Sequence, residues 1–163
     1  MTACTKGLYN NRRITSLLTK ENITIKKILV AVDGSKASSS AGNQAIDLAK
    51  KHQAELTALY VVPSDIRYGQ GNLKGVVMTA MERGQKYVDE LKQNASETKI
   101  SIRTDVVMST NSVVKSIVEY AEEKKMDLIV IGSRGISGLK RMLLGSTASG
   151  VVTYADCPVL VVK

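Results

Sequence analysis

The sequence predicts an α/β fold: one doubly wound sheet of five parallel strands with helices on both faces. Three observations carry this. Five short runs rich in Val, Ile and Leu alternate with four segments whose apolar residues recur at helical spacing. The runs lie too far apart for hairpins, so they require right-handed crossovers and a sheet buried on both sides. A chain of 163 residues, 44% hydrophobic and 23% charged, has the apolar content for the core of a single domain.

Ile28-Leu29-Val30-Ala31-Val32 is the first strand, an apolar run closed by the turn residues Asp33-Gly34-Ser35. Residues 38–51 follow as a helix, with Ala41, Ala45, Ile46, Leu48 and Ala49 on one face and Ser38 as the expected N-cap. The second strand, residues 56–62, ends at Pro63. Residues 63–75 are a polar, glycine-containing loop, and residues 76–93 a long helix striped by Val77, Ala80, Met81, Tyr87, Val88 and Leu91. Residues 99–108 form the third strand, alternating cleanly only in part. Residues 112–124 are an amphipathic helix carrying Val113, Val114, Ile117, Val118 and Ala121. Leu128-Ile129-Val130-Ile131 is the fourth strand, residues 147–154 a short helix, and Pro158-Val159-Leu160-Val161-Val162 the last strand.

Composition excludes several classes of function. No run approaches the length of a membrane span. Cys4 and Cys157 alone make no disulfide framework or thiolate metal cluster, and the single His52 rules out zinc sites needing two imidazoles. The formal charge of +8 is unevenly placed. Residues 1–27 carry Lys6, Arg12, Arg13, Lys20, Lys26 and Lys27 against Glu21, a net +5, while the body is close to balance at +3. Phe and Trp are absent and the six Tyr are scattered, which argues against nucleic acid as a partner. The N-terminal stretch is basic, Ser/Thr-rich and poor in acid, as transit peptides are, but has no apolar core for a secretory signal. We read residues 1–25 as a flexible extension and residues 26–163 as the domain.

In a doubly wound sheet, ligands bind beyond the carboxyl ends of the strands, where strand order reverses. The densest signal falls at such an end, from Gly132-Ser133-Arg134-Gly135 to Gly145-Ser146-Thr147. Glycines let backbone N–H groups approach an anion, and the following helix adds free N–H donors and the positive end of its dipole. Ser146 can cap that helix or give its hydroxyl to a phosphate. These parts make a cradle for a polyphosphate. Neither G-x-x-x-x-G-K-[ST] nor G-x-G-x-x-G occurs, so it is not a standard phosphate loop.

The spacing Gly132-x2-Gly135-x9-Gly145-Ser146 is similar to the G-2x-G-9x-G-[ST] signature of the nucleotide-binding branch of the universal stress protein family. The opening KKILVAVDGS, the internal MDLIVIGSRG and the terminal CPVLVVK also resemble that family, over residues 26–163. The resemblance implies a Rossmann-like sheet of order 3-2-1-4-5, akin to the adenine nucleotide alpha hydrolases, in a cytoplasmic, usually dimeric protein that binds ATP. Carried over by position, it implies that Ala31 lies under the adenine and Val61 offers backbone groups to its edge. Asp33 then contacts the ribose or a Mg²⁺ ion, and Ile131 and Gly132 flank the ribose. Gly135, Gly145, Ser146 and Thr147 hold the phosphates. In that strand order Asp33 and Gly132 converge on one crevice. A carboxylate beside phosphates repels them unless it binds ribose hydroxyls or a cation, which suits Mg²⁺. Arg134 either contacts phosphate or is solvated. One departure stands out: Ser109-Thr110-Asn111-Ser112 follows the third strand, where the family often has a Gly-x-Pro turn. Lys140 and Arg141 read as charges solvating the loop exterior.

Other residues with chemical side chains read as structural. His52 ends the first helix, where a cation suits the dipole. Cys157 packs beside the last strand, Met78 and Met81 fill gaps or meet a partner, and residues 122–125 are a solvated helix end. The expected function is therefore an ATP-binding stress-response or signalling module. No base to activate water is evident, so hydrolysis is at most slow and efficient turnover is not expected. The apolar last strand, at a sheet edge, predicts a homodimer. The alternatives are a nucleotide-free dimeric scaffold, against which the intact glycine motif argues, and an adenylyl-transfer enzyme. The latter needs His-x-Gly-His or a Ser-Gly-Gly loop, and neither string occurs.

Overall fold

The computed structural model describes residues 24–63, 73–96, 100–109, 111–136 and 144–163. The strands are β1 (Lys27–Ala31), β2 (Glu55–Val62), β3 (Ile102–Met108), β4 (Leu128–Gly132) and β5 (Val159–Val162). The helices are α1 (Lys36–His52), α2 (Leu73–Ser96), α3 (Val113–Glu123) and α4 (Ser146–Tyr154). The sheet is wholly parallel, in the order β3-β2-β1-β4-β5. The order expected from the family resemblance is thus the one found. The extension expected over residues 1–25 lies, apart from Thr24 and Ile25, outside the described residues. So do Lys140 and Arg141.

Two apolar layers sandwich the sheet because successive residues of a strand point to opposite faces. Ile28, Val30, Leu56, Ala58 and Val130 pack under Ala41, Ala45 and Ala49 of α1 and Val88 and Leu91 of α2. Leu29, Leu59, Ile129 and Ile131 face Ile117 and Ala121 of α3 and Ala148 and Val151 of α4. Leu29, Leu56, Leu59 and Ile129 are among the side chains fully withdrawn from solvent. Burying such a side chain stabilises a fold by about 1.5–3 kcal/mol.

The β1–β4 seam joins segments about a hundred residues apart and is clasped at its amino end by Asp127. Its Oδ2 accepts the N–H groups of Lys26 (2.8 Å) and Lys27 (2.9 Å).

Several boundaries differ from the sequence reading, each for a local reason. Ser35, not Ser38, caps α1: the Ser38 N–H donates to Ser35 Oγ at 3.1 Å. Ser38 is buried in the first turn and donates its own hydroxyl to the Ser35 carbonyl at 2.9 Å. Ser146 is not a cap either. Gly145 holds that position without a side-chain hydrogen bond, and Ser146 is the first helical residue. Helix α2 is longer at both ends than residues 76–93, and β3 begins only at Ile102. His52 ends α1 as expected, and Cys157 packs against the apolar layer beside β5. Burial pushes the Cys157 thiol above its ordinary pKa, which keeps it protonated and unreactive near neutrality.

A candidate anion-binding cleft at the strand switch point

The ends of β1 and β4 diverge where the chain leaves β1 for one face and β4 for the other, and a cleft opens between them. Its empty volume is about 650 Å³ when the solvent at its open mouth is counted. Ala31, Asp33, Val61, Ile131, Gly132, Arg134, Gly135, Gly145, Ser146 and Thr147, all ten candidates from the sequence, line it.

The floor is apolar. Ala31, Val61 and Ile131 come from three adjacent strands, each less than a tenth exposed. The sequence reading missed Leu59, Val113 and Ile117, which extend this floor and raise one wall from the first turns of α3. Their signal was present, since Val113 and Ile117 sit one helical turn apart on the apolar face of that helix. Among the described residues Val32, Ser38 and Ala148 also line it.

The rim is polar and made mostly of backbone. Gly145 N–H donates to the Ser133 carbonyl at 2.8 Å, drawing the start of α4 against the end of β4. The first-turn N–H groups of α4 have no side-chain cap, so the positive end of the helix faces the cleft. Across from it, Asp33 is gripped on both oxygens. Its Oδ1 accepts the Ser35 N–H (2.9 Å) and its Oδ2 the Ile136 N–H (3.2 Å). Ser35 Oγ donates to the Arg134 carbonyl at 3.2 Å, tying the two loops again. A Cβ added to Gly135 would stand 2.7 Å from Asp33 Oδ2, so any larger residue here would push the carboxylate aside.

Of the turn after β3, Ser112 caps α3 by accepting the Lys115 N–H at 3.1 Å, and Ser109 is buried; neither lines the cleft. Thr110 lies outside the described residues. His52 is at the far end of α1 from the cleft. Among the described residues no group of three His, Cys, Asp or Glu side chains could hold a metal ion, and no helix is long and apolar enough to cross a membrane.

The fold and the cleft have counterparts in known proteins. The family model described as the universal stress protein family matches residues 24–163. The chain belongs to that family. A universal stress protein of Methanocaldococcus jannaschii is 41% identical over 141 residues, 85% of this chain and 82% of that protein. One from Bacillus subtilis is 36% identical over 148 residues, 84% of this chain and 98% of the other. Among solved structures, a universal stress protein from Lactobacillus plantarum superposes with a TM-score of 0.79 at 30% identity, covering 87% of this chain and all of that one. Membership extends to the whole sheet, since the match begins three residues before β1 and runs to the last residue.

Proposed function

We propose that this universal stress protein binds ATP in the switch-point cleft and uses it as a conformational ligand in stress-response signalling. One observation carries the reading. An uncapped helix N-terminus and a glycine-lined loop converge opposite Asp33, above a floor made of the apolar side chains Ala31, Val61 and Ile131. In this reading the base lies on Ala31, Val61 and Ile131, with Gly132 at the ribose. The phosphates meet Gly135, Gly145, Ser146 and Thr147, and Arg134 adds a cation at the mouth.

The residues present fit Mg²⁺ arriving with the nucleotide. Asp33 offers the single carboxylate that this ion commonly takes from a protein when phosphates and water supply its other oxygens. The ion would neutralise charge between phosphate and carboxylate. Among the described residues lining the cleft Asp33 is the one carboxylate, and in this reading it serves the ion and leaves no base to activate water, so hydrolysis is at most slow. Universal stress proteins solved with cAMP, with dAMP and with AMP share the fold at 24%, 17% and 17% identity. At those identities they speak for the fold, and the choice of ATP rests on the resemblance of the Gly132-x2-Gly135-x9-Gly145-Ser146 spacing to the family's nucleotide-binding branch.

Denaturing the purified protein and chromatographing what it releases is the direct test. Co-purified ATP or ADP is the expected result. Added ATP at a hundred times its Kd should raise unfolding free energy by about 2.7 kcal/mol. A blank chromatogram with no titratable ATP would overturn the reading.

The reading includes a cytoplasmic homodimer through β5. The two sheet edges differ: β3 places the exposed charges Arg103 and Asp105 along its length, whereas β5 is Val-Leu-Val-Val with Leu160 37% exposed. Charge blunts one edge, and the bare apolar edge remains open to a second copy. Exposed Val152 and Tyr154 on α4 extend the apolar surface beside it. Light scattering at micromolar concentration should give twice the chain mass, and Leu160→Lys should halve it. A monomeric unmodified protein would remove the dimer from the proposal.

A further inference from the structure

The loop that carries Asp33 is held from behind by a residue outside the cleft. Gly34 has φ +82°, a left-handed conformation that favours glycine. A Cβ at Gly34 would fall within the edge of the Tyr87 ring, and 2.5 Å from its hydroxyl oxygen. Tyr87 therefore covers Gly34 directly. It projects from α2 into a second, more polar cleft between α1 and α2, which shares Val32 and Ser38 with the first. The Val32–Ser35 segment is the wall between the two.

Tyr87 is itself backed by the core. Its ring lies 6.0 Å, centroid to centroid, from that of Tyr60, a β2 residue only 7% exposed. Tyr60 in turn fits against Gly84 one turn earlier in α2, where any Cβ would strike its ring. Packed contacts thus run from β2 through Tyr60 and Tyr87 to Gly34. On the cleft side, the two neighbours of that glycine make the contacts that fix the rim. Asp33 reaches the Ser35 and Ile136 N–H groups, and Ser35 both caps α1 and grips the Arg134 carbonyl. A site of this kind is only as well placed as the side chains that support it.

We propose that Tyr87 is a positioning residue for the nucleotide site, holding the Asp33-Gly34-Ser35 loop in its binding geometry through the hydroxyl-bearing edge of its ring on Gly34. The inference rests on the ATP reading above and names the part of the molecule that sets its affinity. It makes the α1–α2 face, on the other side of the sheet, the place from which affinity for ATP is adjusted.

The test compares ATP titrations of three variants with the unmodified protein. Tyr87→Leu keeps an apolar contact for Tyr60 but removes the ring end over Gly34. Tyr87→Phe keeps the ring. Leu91→Val loosens the same helix one turn beyond Tyr87, where it packs on Gly42 of α1. Tyr87→Leu should weaken ATP binding about tenfold, Tyr87→Phe should stay within about twofold, and Leu91→Val should leave affinity unchanged while lowering the unfolding midpoint. Tyr87→Leu binding like the unmodified protein would overturn the inference. So would equal weakening by Leu91→Val, because the effect would then belong to helix stability alone. If the unmodified protein binds no ATP, the functional reading itself fails, an outcome distinct from both.

Discussion

Gly135→Glu is expected to abolish ATP binding while leaving the protein folded. The position is exposed on the loop after β4, so no core contact is lost. The first added atom would stand 2.7 Å from Asp33 Oδ2, well inside van der Waals contact. Asp33 must then swing away from the Ile136 N–H or the loop must lift, and either change spoils the rim. The new carboxylate adds a negative charge where the proposed phosphates would sit. A loss of at least a hundredfold in affinity, about 3 kcal/mol, is the expected size. Gly135→Ala should fall between, since it adds the crowding without the charge. Calorimetric titration with a parallel thermal melt checks both, and ATP binding by Gly135→Glu within a few-fold of normal would misplace the site.

Gly132→Val should cost stability first and binding as a consequence. Here β4 abuts the first turn of α1. A Cβ would stand 2.7 Å from the Ala37 carbonyl carbon, 2.8 Å from the Ser38 nitrogen and 2.9 Å from the Ala37 oxygen. All three are backbone atoms, so no side chain can rotate aside. Relief requires α1 to move off the sheet, opening the layer that holds Ala41 and Ala45. Overpacking against unyielding neighbours costs about 3 kcal/mol or more. Urea unfolding should show a lower midpoint with an unchanged slope. A midpoint equal to that of the unmodified protein would mean that this contact yields easily.

The alternation of strands and helices was legible because a parallel strand buried on both faces is written as an unbroken apolar run. Ile28 to Ala31 and Leu128 to Ile131 needed no further context. The glycines of the rim were legible for a related reason: their spacing follows a strand and precedes a helix. Helix starts were less so. Ser35 and Ser38 are both good caps by chemistry, and only the Ser38 N–H bond to Ser35 Oγ decides between them. At α4 the nearby Ser146 suggested a side-chain cap, yet the backbone enters the helix one residue earlier and leaves the first turn uncapped.

The apolar wall of the cleft was harder. Val113 and Ile117 repeat as any core face does, and nothing local says that their end of the helix overlooks a cavity. That follows from which strand lies beneath them, a property of the assembled sheet. Tyr87 was harder still. A tyrosine on a helix stripe gives no sign that it will rest on a glycine in another loop.

The hydrogen bond from the Ile136 N–H to Asp33 joins residues 103 positions apart. The start of α4, a little further along, closes the rim. No fragment ending before α4 can assemble the cleft, however well its first strands fold. During synthesis the chain therefore passes most of its length without a place for a ligand. The site arrives nearly all at once, with the last helix. A nucleotide bound as proposed would consequently be held only by chains that have formed the last helix.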